Sequence, residues 1–285
     1  MSPPVAAAIS FLGCGVRVHG DDPQANAVLA RNFASVGRPL PDGAPAEIEM
    51  TAQKADGGWT LATATTAERP RADVLDLAGL VFTAEKHLIV AVQRLRPSYL
   101  FVHAAAVEAA GKACLLIAAS GGGKSTLCWR LLHEGFSYLS DELVPIEVGS
   151  RLVHPYAHAL CLKAEPPSGP PLPPGAIRAG RTLHVPTDLL PAPAVRGTLP
   201  LGKMLFLEFA GKHAVPAIER LSRAAAAAQL YPAALNPLAH AGGGLDAVVA
   251  LAEAAPAWRV RTGDLEATAR EVAALLLGDD RAPAV

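Results

Sequence analysis

Three glycines run directly into a lysine and two hydroxyl residues in Ser120-Gly121-Gly122-Gly123-Lys124-Ser125-Thr126, with Ala118-Ala119 just before them. A glycine-rich turn that feeds a helix leaves several backbone N–H groups unpaired around one point, which makes a cradle for an anion. Lys124 has the reach to meet terminal phosphates there, and the Ser125 hydroxyl can hold Mg²⁺. The expected ligands are ATP, or a similar nucleotide, and Mg²⁺, held by Ser120, Gly121, Gly122, Gly123, Lys124, Ser125 and Thr126. The full phosphate-loop pattern has a further glycine where this chain has Ala118, and a methyl group fits there if the local φ is negative.

One helix length downstream stand Asp141 and Glu142. Phosphoryl transfer needs one carboxylate to take the acceptor's hydroxyl proton and another to help place the metal. Asp141 is expected as base and Glu142 as metal or water partner, with the reverse assignment open. His103 lies upstream in the apolar run Phe101-Val102-His103-Ala104-Ala105-Ala106, where a core role and a site role are both open. Lys163, Arg181 and Lys203 are candidate cations for the transferred group, since developing phosphoryl charge needs positive charge nearby. His133, His154, His158 and His240 have no metal-ligand spacing and read as surface or packing residues. No Gly-x-Ser-x-Gly elbow supports a hydrolase triad.

The elements needed to hold these residues are legible around them. Leu100 to Val107 and Ala113 to Ala118 read as strands of a hairpin turned at Gly111-Lys112, and the second strand delivers the chain into the glycines. Lys124 to Glu134 reads as a helix closed by Gly135, and Phe136 to Leu139 as a strand ending at the acids. A hairpin around Gly149-Ser150 and a strand at Leu160-Cys161-Leu162 follow. Residues 166–193 are rich in Pro and Gly and are expected to be a lid or linker. Strand at Met204 to Phe209, helices at Arg223 to Leu230 and Leu245 to Ala254, strand at Trp258 to Val260 and a last helix at Leu265 to Leu277 complete the pattern. Before it, residues 1–96 read as a small α+β lobe, with strands at Val16 to Val18, Ala46 to Met50 and Trp59 to Leu61. Helices are expected at Gln24 to Phe33 and from Ala72 to Arg94, the latter with Leu77, Val81, Ala84, Leu88, Val92 and Leu95 on one face. The division is therefore 1–96 and 97–285.

With 285 residues, 51% of them hydrophobic, the chain can bury one large core or a core and a smaller lobe. A net charge of -1 gives no footprint for nucleic acid or for an anionic membrane. Cys14, Cys114, Cys128 and Cys161 are scattered without a Cys-x-x-Cys pair, which points to buried thiols in a reducing cytoplasm rather than a zinc site. No apolar stretch is long enough to span a bilayer. Phe11-Leu12-Gly13-Cys14 has the look of a lipoprotein cleavage site but lacks the basic, apolar lead-in of an export signal.

The stretch from Leu100 to Lys163 resembles the HPr kinases, P-loop kinases that phosphorylate a serine of a small protein. The likeness rests on His103 two strands before the loop, on Ser120-Gly121-Gly122-Gly123-Lys124-Ser125, and on Asp141-Glu142 where that family has an Asp-Asp pair. Phe101 to Val107, Tyr138-Leu139-Ser140-Asp141-Glu142, His154-Pro155-Tyr156 and Leu160 to Lys163 look most like a divergent group that includes kinases encoded with ribosomal-peptide maturation systems. The resemblance implies an α/β fold of the HPr kinase and PEP carboxykinase type. It also implies Asp141 as catalytic base, Ser125 and Glu142 near Mg²⁺, His103 as an organiser of the site, and a peptide or small-protein substrate. Ala118 and Glu142 depart from the family pattern, and Gly180-Arg181-Thr182 only faintly echoes its downstream Gly/Arg segment. Oligomeric state, a small-molecule acceptor and a regulator with little turnover all stay open, whereas an ABC-type ATPase lacks its Leu-Ser-Gly-Gly-Gln signature here.

Overall fold

Residues 3–278 are described by a computed structural model, which has a mixed α/β architecture with several sheets and helices. The first lobe builds a six-stranded sheet from β1 (Val5–Phe11), β2 (Cys14–Gly20), β3 (Arg38–Pro39), β4 (Ile48–Ala55), β5 (Gly58–Ala64) and β6 (Arg71–Val74), in the order β3-β1-β2-β4-β5-β6. Two helices cover it, α1 (Pro23–Phe33) and α2 (Leu77–Leu95). Each is started by an aspartate: Asp22 accepts the Ala25 N–H and Asp76 the Gly79 N–H, satisfying donors that a helix start leaves free. The expected helix from Ala72 begins later because residues 71–74 pair with β5 as an edge strand. From α2, Leu80, Ala84, Leu88 and Val92 pack on Ile48, Met50 and Leu61 in one buried cluster. Phe101, Leu143 and Tyr156 belong to the same cluster, so the core of the first lobe runs into the second.

The second part contains β7 (Tyr99–Val102), β8 (Ala104–Ala109), β9 (Lys112–Ile117), α3 (Lys124–Leu132), β10 (Ser137–Ser140), β11 (Val144–Glu147), β12 (Leu152–Val153) and β13 (Leu160–Leu162). It continues through β14 (Ile177–Ala179), β15 (Thr182–Val185), β16 (Leu199–Phe209), β17 (Ala217–Arg220), α4 (Arg223–Leu230), α5 (Leu245–Ala254), β18 (Ala257–Thr262) and α6 (Leu265–Leu277). Its large sheet runs β10-β8-β9-β16-β12-β11-β7, with β18 also on β16 and β17 on β18. The pairs β9–β16 and β16–β18 are parallel, and helices cover both faces, as a parallel core demands. Leu127, Leu131, Val272 and Leu276 of α3 and α6 fill one face, and Leu230, Val248 and Leu251 of α4 and α5 the other.

The expected hairpin is corrected. Leu100 to Val107 is not one strand: β7 and β8 part at His103, where β7 pairs with β11 and β8 with β9 and β10. Within residues 166–193, expected as a lid or linker, β14 and β15 join β13 in a small sheet in the order β13-β15-β14. Contacts tie that segment down: the Trp129 indole N–H donates to the Pro170 carbonyl, and Arg31 pairs with Asp188 at 3.1 Å. No described helix is long and apolar enough to cross a membrane.

Candidate functional site

The loop between β9 and α3 has the shape its glycines allow. Gly121 and Gly123 have φ of 85° and 89°, and a Cβ on either would meet nothing within 4 Å, so the concave side of the turn is open. Gly122 has no such freedom, since its Cβ would lie 2.7 Å from the Ala118 methyl. Ala118 is not among the residues of positive φ, so it sits at the loop's first position without strain, and its methyl takes space that Gly122 leaves. Helix α3 starts at Gly123 with no side-chain cap, unlike α1, α2, α4 and α6. Its first-turn N–H groups are therefore left to a ligand, at the positive end of the helix dipole.

Lys124 leaves the start of that helix and buries its stem. Its Nζ donates to the Ala118 carbonyl at 3.0 Å and to His103 Nε2 at 3.0 Å. Burial lowers the Lys124 pKa, against the pull of Glu142 and Asp141. His103 occupies the break between β7 and β8, held by its own N–H to the Ala233 carbonyl. Its Nδ1 meets the Glu142 carbonyl at 3.2 Å and Glu142 Oε2 at 3.3 Å. With Nδ1–H donating to that carbonyl, Nε2 is the acceptor for Lys124. Burial and the Lys124 charge both lower the His103 pKa, which favours the neutral ring this arrangement requires.

The two acids follow β10 directly and face different surroundings. Asp141 is wholly buried, whereas the Glu142 side chain keeps 40% of its exposure. Asp141 Oδ2 accepts the Cys161 N–H at 2.8 Å. Its Oδ1 is buried without a hydrogen bond, although the Ser125 hydroxyl lies near enough to favour the ionised form. Burial, reinforced by the Glu142 charge and opposed by His158, raises the Asp141 pKa to about 6. A buried carboxylate oxygen without a full hydrogen bond carries a desolvation cost of roughly 1–3 kcal/mol, which a cation or a donor would relieve.

Lys163, just past β13, donates to Ser120 Oγ at 2.6 Å, so this cation stands at the loop. The other two do not join it. Lys203 is buried and caps the end of α6, donating to the Leu275 and Gly278 carbonyls at 2.9 and 2.7 Å. Arg181 is exposed in the turn between β14 and β15. His133 packs edge-on against Trp129 and His154 against Tyr99, while His240 meets the Tyr99 carbonyl. All four cysteines are free, and three are buried.

His158 proves to be more than packing. It is buried 3.0 Å from Glu85 of α2, and Asn32 of α1 donates to the same carboxylate at 2.9 Å. Burial is the largest influence on each and opposes both charges, yet the neighbours together outweigh it: His158, His184 and Asn32 hold Glu85 below the usual carboxylate range, and Glu85, Asp141 and Glu142 hold His158 above the usual histidine range. The positive ring lies close enough to Asp141 to favour its ionised form. A sequence signal for Glu85 exists, because helical spacing sets it on the buried stripe of Val81, Ala84 and Leu88, where a lone acid needs a partner. Nothing in the sequence marks the Cys161 amide.

Among the described residues no group of three or more His, Cys, Asp or Glu could hold a metal ion. A bound Mg²⁺ would draw on Ser125, on one or two carboxylates and on phosphate oxygens, the usual ligand set for this ion at a nucleotide. The open cradle, the uncapped helix and the orphaned Asp141 Oδ1 fit such a ligand pair. No known family profile matches the chain, and no curated protein matches it.

Proposed function

We propose that this protein is an ATP- and Mg²⁺-dependent kinase of the HPr-kinase-like type, transferring the γ-phosphoryl group to a hydroxyl, most simply a serine of a peptide or small protein. One observation carries the reading: an open, uncapped glycine loop surrounded by Lys124, Lys163, His103 and two carboxylates of opposite exposure. Mg²⁺, held by Ser125 and Asp141, would neutralise phosphate charge. Residues 120–126 would hold the phosphates through backbone N–H groups, with Lys124 moving from its Ala118 and His103 contacts onto them. Lys163 would close over the loop from Ser120.

The difference in burial between the two acids favours the exchanged assignment, which the sequence leaves open. We propose that Asp141, buried and beside Ser125, serves the metal side. Glu142, exposed and joined to His103, takes the acceptor's proton. In the step, the acceptor oxygen forms its bond to the γ-phosphorus and the bond from that phosphorus to the β–γ bridging oxygen breaks. The released proton goes to Glu142, and His103 Nδ1–H, 3.2 Å from the Glu142 carbonyl and 3.3 Å from its Oε2, keeps that residue in place.

The test is transfer from γ-labelled ATP to candidate serine peptides, with Mg²⁺ titrated. Glu142→Gln is expected to lower transfer by about 10²–10⁴-fold, the range for a lost general base, and Asp141→Asn to lower it through loss of the metal-side acid. Asp141→Asn alone should also raise the Mg²⁺ needed for half-maximal rate. A raised Mg²⁺ requirement in Glu142→Gln with none in Asp141→Asn would restore the sequence assignment. Transfer untouched by either substitution would remove the kinase reading.

A further inference from the structure

The large sheet sets the two acids and one other turn on opposite sides of the glycine loop. In the order β10-β8-β9-β16-β18, Asp141 and Glu142 follow β10, His103 precedes β8, and the loop follows β9. Because β16 runs parallel to β9, the turn from β16 to β17 comes out at this same edge, on the side away from the acids. Neighbouring strands are about 4.8 Å apart, so the acids stand two spacings to one side of β9 and this turn one spacing to the other. Ile117, the last residue of β9, pairs with Phe206. Phe209 ends β16 three residues later, about 10 Å further along, level with the chain that has left β9 for the loop. Side chains alternate along a strand, so Phe209 shares a face with Leu205 and Leu207, which pack in one cluster with Leu127 and Leu131 of α3. That is the face carrying the helix that starts at the loop.

Two large apolar side chains are left bare in this turn, Phe209 at 61% exposure and Val215 at 82%. The turn itself is fixed by its backbone. The Ala210 N–H donates to the Thr262 carbonyl at 2.9 Å, the Ala214 N–H to the Gly211 carbonyl at 2.9 Å, and the Asp264 N–H to the Ala214 carbonyl at 3.1 Å. Gly263 closes on it so tightly that an added Cβ would lie 1.9 Å from the Ala214 carbonyl oxygen. A backbone pinned in this way holds an aromatic ring in water at little further entropic cost, which suits it to a flat ligand that stacks.

For transfer, a nucleotide in the loop must turn its γ-phosphoryl group towards Asp141 and Glu142. Its sugar and base then extend the other way, past β9 towards β16. We propose that Phe209 and Val215 form the nucleobase subsite, with the base stacked on the Phe209 ring and Val215 against its edge. The subsite rests on the nucleotide reading of the glycine loop and adds to it the element that selects the base. A ring face and an aliphatic side chain respond to stacking area, so a purine nucleotide binds more tightly here than a pyrimidine one.

The full chain and its Phe209→Ala, Phe209→Tyr and Val215→Ser variants are titrated calorimetrically with ATP, CTP and inorganic tripolyphosphate, each with Mg²⁺. Tripolyphosphate has the phosphates without a base, so it reads the loop alone. Phe209→Ala should weaken ATP about tenfold, as loss of one base–aromatic stack implies, and leave tripolyphosphate unchanged. Phe209→Tyr should restore ATP binding, and Val215→Ser should weaken it a few fold. The wild type should hold ATP more tightly than CTP. Each side chain is largely exposed, so melting temperatures should stay within a few degrees of the wild type. ATP binding that Phe209→Ala leaves unchanged would overturn the proposal, as would tripolyphosphate binding that falls as far as ATP binding does. Wild-type binding of tripolyphosphate as tight as that of ATP would overturn the base subsite while the loop's role stands. Binding of neither by the wild type would remove the nucleotide reading and the subsite with it.

Discussion

The tripeptide Gly-Gly-Gly occurs at 121–123 before α3 and again at 242–244 before α5, and in both places it feeds a helix that no side chain caps. The surroundings separate the two. At Gly121 and Gly123 an added Cβ would meet nothing, and beside the loop Lys163 donates to Ser120 and Lys124 to His103. At Gly244 an added Cβ would lie 2.8 Å from the Pro237 carbonyl, and the Tyr231 hydroxyl donates to the Gly243 carbonyl at 3.0 Å. Asp246 sits in the first turn of α5, where it answers the helix dipole with a charge of the chain's own. One glycine run keeps space for something else to enter, and the other lets the chain pack on itself. A glycine-rich helix start is thus a site only where the space it leaves stays empty and its charge stays unanswered.

Paired substitutions sharpen this contrast. Gly123→Ala adds a methyl at positive φ, with a cost of about 1 kcal/mol, and places it in the cradle. MgATP affinity should fall about tenfold or more while the melting temperature moves by only a few degrees. Gly244→Ala has the same φ penalty and a backbone collision besides, for roughly 2–3 kcal/mol. Its melting temperature should drop further with MgATP affinity unchanged. Equal loss of affinity in both variants, read by calorimetry beside thermal denaturation, would erase the distinction.

A smaller effect tests the charge left at the first site. Asp141 has its pKa raised from 3.8 to about 6, so between those values the folded state holds a proton that the unfolded state has released. Stability from this group therefore falls as pH rises through that window, and above it the buried charge costs about 3 kcal/mol. Asp141→Asn should melt a few degrees higher than the wild type at pH 7, with the gain gone near pH 4, even though transfer is lost. Transfer in the wild type should weaken as pH drops below about 6, where the carboxylate protonates. A variant that melts lower than the wild type at pH 7 would show that this acid is not held at a cost.

Much of this was legible in residue order. The loop, the helix after it, the strand ending at Asp141-Glu142 and every later helix follow from apolar period, Gly135 and the turn residues. What the sequence hides is pairing over distance. His103 looked like a residue within one strand because its neighbours are uniformly apolar, and only the separate partners of β7 and β8 reveal the break. Within residues 166–193, expected as a lid or linker, Pro and Gly mask β14 and β15, whose order comes from pairing of β15 with β13. Lys163 and Lys203 are alike on paper, yet one meets Ser120 and the other caps α6. The difference in burial between Asp141 and Glu142, which decides their proposed roles, is likewise absent from two adjacent acids in a row.

Calorimetric titration of MgATP into the wild-type chain and into Lys124→Ala, side by side at pH 7, tests the central claim most directly. One saturable site in the wild type, weakened about tenfold to a hundredfold in Lys124→Ala with the fold intact, is the result expected of a lysine that meets terminal phosphates. No binding by the wild type, or identical binding by both proteins, would contradict it.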